Sequence, residues 1–122
     1  MTYSKIVNLR KFFAYVSTLN EKNGSTINFS KWVTLIKQFK AFFKDHFIDS
    51  LDLEKLFYDV VRTKTPSEMN YEDFVDSLTL LSRKLVKICI TENESQNILL
   101  ANDELLFNRF LQIVIKPFCE EL

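Results

Sequence analysis

Apolar residues recur along most of the chain at intervals of three and four, the spacing that gathers them on one side of a helix. In "SKIVNLRKFFAYVSTL" the stripe is Phe12, Tyr15, Val16 and Leu19, and the polar run "NEKNGS" ends it. A second stripe of Trp32, Leu35, Ile36 and Phe39 predicts a helix from about Ser30, with Ser30 as its N-cap, weakening near "KDHFIDS". Ser50 caps a third predicted helix, striped by Leu53, Leu56, Phe57, Val60 and Val61 and ended before Pro66. A fourth opens at Asn70 or its neighbours and is expected to be the longest, because Phe74, Leu78 and Leu81 continue into Leu85 and Ile88. Thr91 with Glu94 three residues later has the form of a capping box and predicts a short helix through Leu100. Asn102 caps a last helix, "DELLFNRFLQIVIK", which Pro117 is expected to stop. The pattern predicts an all-α chain forming a single domain over residues 1–122, with no internal linker.

Two stretches repeat. "STINFSKW" (Ser25–Trp32) and "SEMNYEDF" (Ser67–Phe74) align so that Ile27, Phe29 and Trp32 match Met69, Tyr71 and Phe74, each 42 residues further on. Helix, polar loop, central aliphatic and a second helix opening with an aromatic is the plan of an EF-hand, whose twelve-residue loop places an aliphatic at its eighth position. There it pairs with its counterpart in a two-strand contact. With Ile27 and Met69 in those places, the loops run from Asn20 to Lys31 and from Arg62 to Asp73. The expected architecture is therefore a pair of degenerate EF-hand-like units, at about residues 3–40 and 51–88, followed by an apolar helical extension at about 91–118.

Calcium requires six to eight oxygens, with acidic or amide side chains at the first, third and fifth loop positions and a bidentate Glu at the twelfth. Here those places read Asn20, Lys22, Gly24 and Lys31 in one loop and Arg62, Lys64, Pro66 and Asp73 in the other. Two of each four are cations, and a lysine at the bidentate place repels the metal. Gly24 also falls one place before the usual sharp-turn glycine. Both loops are expected to be inactive toward calcium, and no cofactor is expected.

Composition supports a helical core. The chain has 12 Phe and 47% apolar residues, but one Gly and two Pro leave little turn chemistry for β-hairpins. The net charge is zero yet uneven: residues 1–48 hold eight Lys/Arg against Glu21 and Asp45, whereas residues 49–82 hold three against eight acids. A basic front suits an acidic protein surface or nucleic acid; the same charges also balance one another within one fold, the reading we favour. Lys37, Lys40 and Lys44 line one helical face, either as a docking strip for an acidic partner or, the reading we favour, as solvated lysines with stems laid along the apolar stripe. Nucleic acid is the weaker partner, because the aromatics fall at core spacing instead of forming stacking platforms. No run of 18 apolar residues is present, so no membrane span is expected. The acid-free first 20 residues, with Lys5, Arg10 and Lys11, have a presequence-like composition, but their apolar positions belong to the first helical stripe.

Catalytic chemistry lacks its parts. The single His46 has no second histidine, Cys89 and Cys119 lie in apolar runs and are expected as buried reduced thiols in preference to a lone disulfide, and one glycine cannot build a phosphate loop. In the last helix Leu105, Leu106, Phe107, Phe110, Leu111, Ile113, Val114 and Ile115 cover nearly the whole circumference. It either plugs the groove between the two units, the alternative we favour, or docks through residues such as Phe107, Phe110 and Ile113 on another protein.

The second unit, "LEKLFYDVVRTKTPSEMNYEDFVDSLTLLSRKL", resembles the core of the tubulin-polymerisation-promoting protein family in Leu53, Phe57, "RTKT", "MNYEDF" and Leu78 to Ser82, with "WVTLIKQFKAFF" resembling its lead-in. The likeness covers about residues 29–88. It implies a non-enzymatic, microtubule-associated or axonemal scaffold in the cytoplasm, the cytoskeleton or the cilium, with tubulin or axonemal proteins as partners and no small-molecule substrate. The chain lacks that family's Gly-rich C-terminal tail and ends in an apolar helix, which turns the expectation from polymerisation toward a structural role. The alternatives are a light-chain-like regulatory subunit gripping a target helix and, less strongly, a small subunit of a mitochondrial complex.

Overall fold

A computed structural model of the chain describes residues 7–19, 24–42, 50–90 and 95–121. These are mostly helical: α1 (Leu9–Ser17), α2 (Phe29–Phe42), α3 (Ser50–Val61), α4 (Tyr71–Lys84), the short α5 (Val86–Cys89) and α6 (Gln96–Leu100), and α7 (Asp103–Phe110). A π-helical segment (Leu111–Ile115) then leads directly into α8 (Lys116–Glu120). The all-α expectation holds among the described residues, where extended pairing is confined to one antiparallel bridge, Ile27 to Met69.

Local chemistry explains most helix starts. The Asn8 side chain accepts the Lys11 amide at 3.1 Å to open α1. Asn70 and Asp73 form a reciprocal capping box at α4, with Asp73 N–H to Asn70 Oδ1 at 2.9 Å and Asn70 N–H to Asp73 Oδ2 at 3.1 Å. Asn102 takes the Leu105 amide at 3.1 Å to open α7, as expected. The capping expected of Ser30 falls to Asn28, whose side chain accepts the Lys31 amide at 2.9 Å, so Ser30 lies inside the first turn of α2. An asparagine directly after the bridge residue Ile27 can hold the extended backbone and cap at once. Ser50 is itself the first residue of α3. Ser95 caps α6 through the Ile98 amide at 3.3 Å, while the expected pair Thr91 and Glu94 lies outside the described residues.

Two helix ends correct the expectation. The fourth helix does not run on to Ile88: Leu85 leaves helical geometry at φ −102°, ψ 22°, and α4 and α2 are equally long at 14 residues. Val86 lies off the Phe74–Leu78–Leu81 stripe that Leu85 and Cys89 would continue in a straight helix, and with the bend at Leu85 all three are buried. Pro117 does not stop the last helix either. The turn before it is widened, Lys116 N–H reaching back five residues to Leu111 O, and this π segment accommodates a ring that would clash in a regular helix.

The core is continuous. Phe12 packs edge-on against Phe74 at 5.4 Å, joining the first helix of one unit to the second helix of the other. Trp32 is buried 6.2 Å from Phe57, and its Nε1 donates to Leu53 O at 3.1 Å, satisfying the one polar atom the indole brings inside. Leu106, Phe107, Phe110, Leu111, Val114 and Ile115 are buried. Phe118, also buried, reaches Phe39 at 4.6 Å, Phe12 at 6.1 Å and Phe42 at 5.9 Å. The apolar extension thus fills space between α1, α2 and α4, and its breadth of hydrophobic surface has a use within the chain.

Trp32→Ala and Phe57→Ala should each destabilise the fold by about 3–5 kcal/mol, the cost of a large core truncation and its cavity. Urea unfolding measures this; losses below about 1 kcal/mol would place neither ring in a load-carrying contact.

Candidate functional site: lysine-filled loops and a cation-rimmed groove

The two interhelical loops meet at the Ile27–Met69 bridge, where the backbones exchange both hydrogen bonds, Ile27 N–H to Met69 O at 3.0 Å and Met69 N–H to Ile27 O at 2.8 Å. Both side chains are fully buried, so these bonds form away from water. One residue earlier in each loop, Thr26 Oγ1 donates to Glu68 Oε1 at 2.6 Å. That pair shares the 42-residue spacing and was not anticipated, because Thr and Glu carry no apolar signature.

Each loop also holds an ammonium group. Lys31, only 3% exposed, turns its Nζ back to donate to Thr26 O at 2.9 Å. Thr26 is thereby held at both ends, its carbonyl by Lys31 and its hydroxyl by Glu68. In the second loop Lys64 Nζ forms a close ion pair with Asp73 Oδ2, the same oxygen that accepts the Asn70 amide. The Lys64 backbone amide donates to Val61 O at 2.8 Å, bringing the lysine over the end of α3. Arg62 and Pro66 are exposed and stand away from this pair's role, while Asn20 and Lys22 lie outside the described residues.

Gly24 serves a close approach. A Cβ there would sit 1.7 Å from Ser17 O and 2.6 Å from Lys31 Nζ. The buried Ser17 hydroxyl bridges the same contact, its one hydrogen shared between Ala14 O at 2.8 Å and Gly24 O at 3.2 Å. The glycine that looked displaced by one position is therefore placed by the contact between the loop and the end of α1, and by room for the lysine. Sequence spacing alone does not reveal such a contact.

A groove of about 370 Å³ runs between α2 and α3, lined by Phe29, Trp32, Val33, Ile36 and Leu53, with Lys37, Lys40 and Glu54 exposed at its rim. Phe29 stacks on Tyr58 at 5.2 Å with 26° between the rings, and Tyr58 remains 46% exposed. Two of the three lysines weighed as a docking strip or a solvated face, Lys37 and Lys40, border an apolar cleft; Lys44 and His46 lie outside the described residues. Of the docking candidates in the last helix, Phe107 and Phe110 are buried in the core and Ile113 is partly buried, so the two phenylalanines are not presented to a partner.

Cys89 and Cys119 are free thiols. Burial pushes both up to about 11 from an ordinary 9.0, with Arg109 opposing the shift at Cys89 and Glu120 adding to it at Cys119. Both are therefore protonated at neutral pH and weak nucleophiles. Among the described residues no three His, Cys, Asp or Glu side chains converge to hold a metal ion, and no helix is long and apolar enough to cross a membrane. No known family model, curated protein or solved structure matches this chain.

Gly24→Ala should destabilise by about 1–3 kcal/mol in thermal or urea unfolding, because the loop must withdraw from Ser17 and Lys31. A neutral substitution would mean that the loop does not lie on the end of α1. The raised thiol values give a pH dependence: unfolded-state thiols ionise from about 9.0 while the folded ones stay protonated to about 11. Stability from these groups should be intact below pH 9 and lost as pH rises toward 11, and Cys89→Ala/Cys119→Ala should flatten that alkaline limb.

Proposed function

We propose that the chain is a metal-independent pair of EF-hand-like units acting as a non-catalytic, protein-binding scaffold. The observation that carries this reading is the lysine in each loop. Counted from Ile27 and Met69 as eighth positions, Thr26 supplies the seventh-position carbonyl, an oxygen that calcium loops give to the ion, and Lys31 Nζ takes it. Asp73 stands at the twelfth position, and Lys64, at the third, takes its carboxylate. In both loops a tethered ammonium satisfies oxygen that a metal would otherwise claim. Calcium does not fit this donor set: its entry would require expelling a covalently attached cation from each loop. The loops then serve to join the two units, and what the molecule offers other molecules is its surface.

The resemblance of residues 29–88 to the tubulin-polymerisation-promoting protein family supplies the setting of the proposal. It is a structural component bound to microtubules or the axoneme, in the cytoskeleton or cilium, with Lys37 and Lys40 on the face offered to acidic protein. The exposed lysines of α2, a helix that contains no acidic residue, support that orientation.

Two measurements test the reading. Emission from Trp32, the chain's single tryptophan, should stay flat through a calcium titration, and the melting temperature should be equal in calcium and in chelator. A saturable response at micromolar calcium would remove the metal-independent reading. The chain should also pellet with polymerised microtubules, less so at high salt; a chain that stays in the supernatant at low salt contradicts the cytoskeletal assignment.

A further inference from the structure

Along α2, Phe29, Val33 and Lys37 stand four residues apart, and Trp32, Ile36 and Lys40 do the same. These are two neighbouring ridges of one helix face, each apolar for two turns and then cationic. Together with Leu53 and Glu54 of α3 they form the walls of the 370 Å³ groove. From Phe29 to Lys40 the groove follows α2 for roughly 16 Å, about three helical turns. Phe29, whose ring stacks on Tyr58, lines one end, and the two lysines line the other.

The floor side chains, Phe29, Trp32, Val33, Ile36 and Leu53, offer no uncommitted polar atom to orient a small molecule. Trp32 Nε1 is already committed to Leu53 O, and the charged groups all stand at the exposed rim. Apolar burial along a helix length, bounded at one end by two cations against one anion, matches a peptide segment better than a compact ligand. No ion pair involves Lys37 or Lys40 among the described residues, so their charge remains directed toward whatever lies over the groove. We infer that the α2–α3 groove is the docking site for an amphipathic helix of a partner protein, with apolar residues spaced i, i+4, i+7 over Val33, Ile36 and Leu53 and an acidic cluster meeting Lys37 and Lys40. The inference rests on the protein-binding reading above and names the partner's chemistry. It also assigns the site to the flank of the molecule, since the chain's own C-terminal helix packs against α1, α2 and α4 through Phe118 and its neighbours.

The test uses the full chain and a labelled, alanine-based helical peptide of about 18 residues with leucines at i, i+4 and i+7 and glutamates clustered at one end. Two controls replace the glutamates with lysines or the leucines with alanines. The acidic amphipathic peptide should raise in anisotropy on titration with the chain and shift Trp32 emission, and both controls should bind more weakly by about tenfold or more. Lys37→Glu/Lys40→Glu, at exposed positions, should lose the acidic peptide and gain the lysine peptide. Val33→Arg should block both, and Glu54→Gln should not weaken the acidic one. Absence of binding overturns the inference, as does equal binding of the leucine-free peptide, which would reduce the site to a basic patch. Should Val33→Arg fail to fold by circular dichroism, the charge-reversal exchange decides alone. Peptide binding by a chain that does not pellet with microtubules would keep the groove and remove the cytoskeletal setting; pelleting without peptide binding would do the reverse.

Discussion

Everything in this fold is referred to the two hydrogen bonds between Ile27 and Met69. They have ordinary lengths of 3.0 and 2.8 Å, join two fully buried residues and are worth on the order of 1 kcal/mol each in net terms. Their importance is geometric: they fix two helix-loop-helix units in antiparallel register at a single point 42 residues apart in sequence. Once that point is set, Phe12 meets Phe74 on one side and Trp32 meets Phe57 on the other. The C-terminal helix can then close the remaining space with Phe118 against Phe39.

A bridge of two residues needs support, because an isolated β contact of this length is not stable in water. The support is electrostatic and internal. Lys31 draws the Thr26 carbonyl inward, Thr26 holds Glu68 across the bridge, and Lys64 holds Asp73 at the start of α4. Burying one ammonium is expensive, and that expense is offset only where a carbonyl or carboxylate accepts from it. The buried Lys31 meets this condition through Thr26 O, while Lys64, partly exposed, has a smaller burden and is paired with Asp73.

Much of the architecture was legible in the chain because it rests on short-range rules. The helical stripes follow from three- and four-residue spacing, Asn70 and Asn102 cap the helices they precede, and the 42-residue echo places Ile27 opposite Met69. What escaped was long-range or compensated. Ser30 has the chemistry of a cap, yet Asn28, two residues earlier, takes the Lys31 amide and starts the helix sooner. Pro117 looked like a stop, yet the widened turn before it removes the clash. Gly24 looked misplaced only because the carbonyl of Ser17 that it must approach lies in another element. The groove is half visible in the sequence: the spacing puts Lys37 and Lys40 on one helix face, but the apolar floor depends on Leu53, which reaches α2 only through tertiary packing.

Amide hydrogen exchange at Ile27 and Met69 tests the central claim most directly, since it reads the bridge itself. The account expects both amides among the slowest of the chain, exchanging at rates set by global unfolding and unchanged between calcium and chelator. Exchange of these two amides at the rate of exposed loop positions, or protection that appears only when calcium is added, would contradict it.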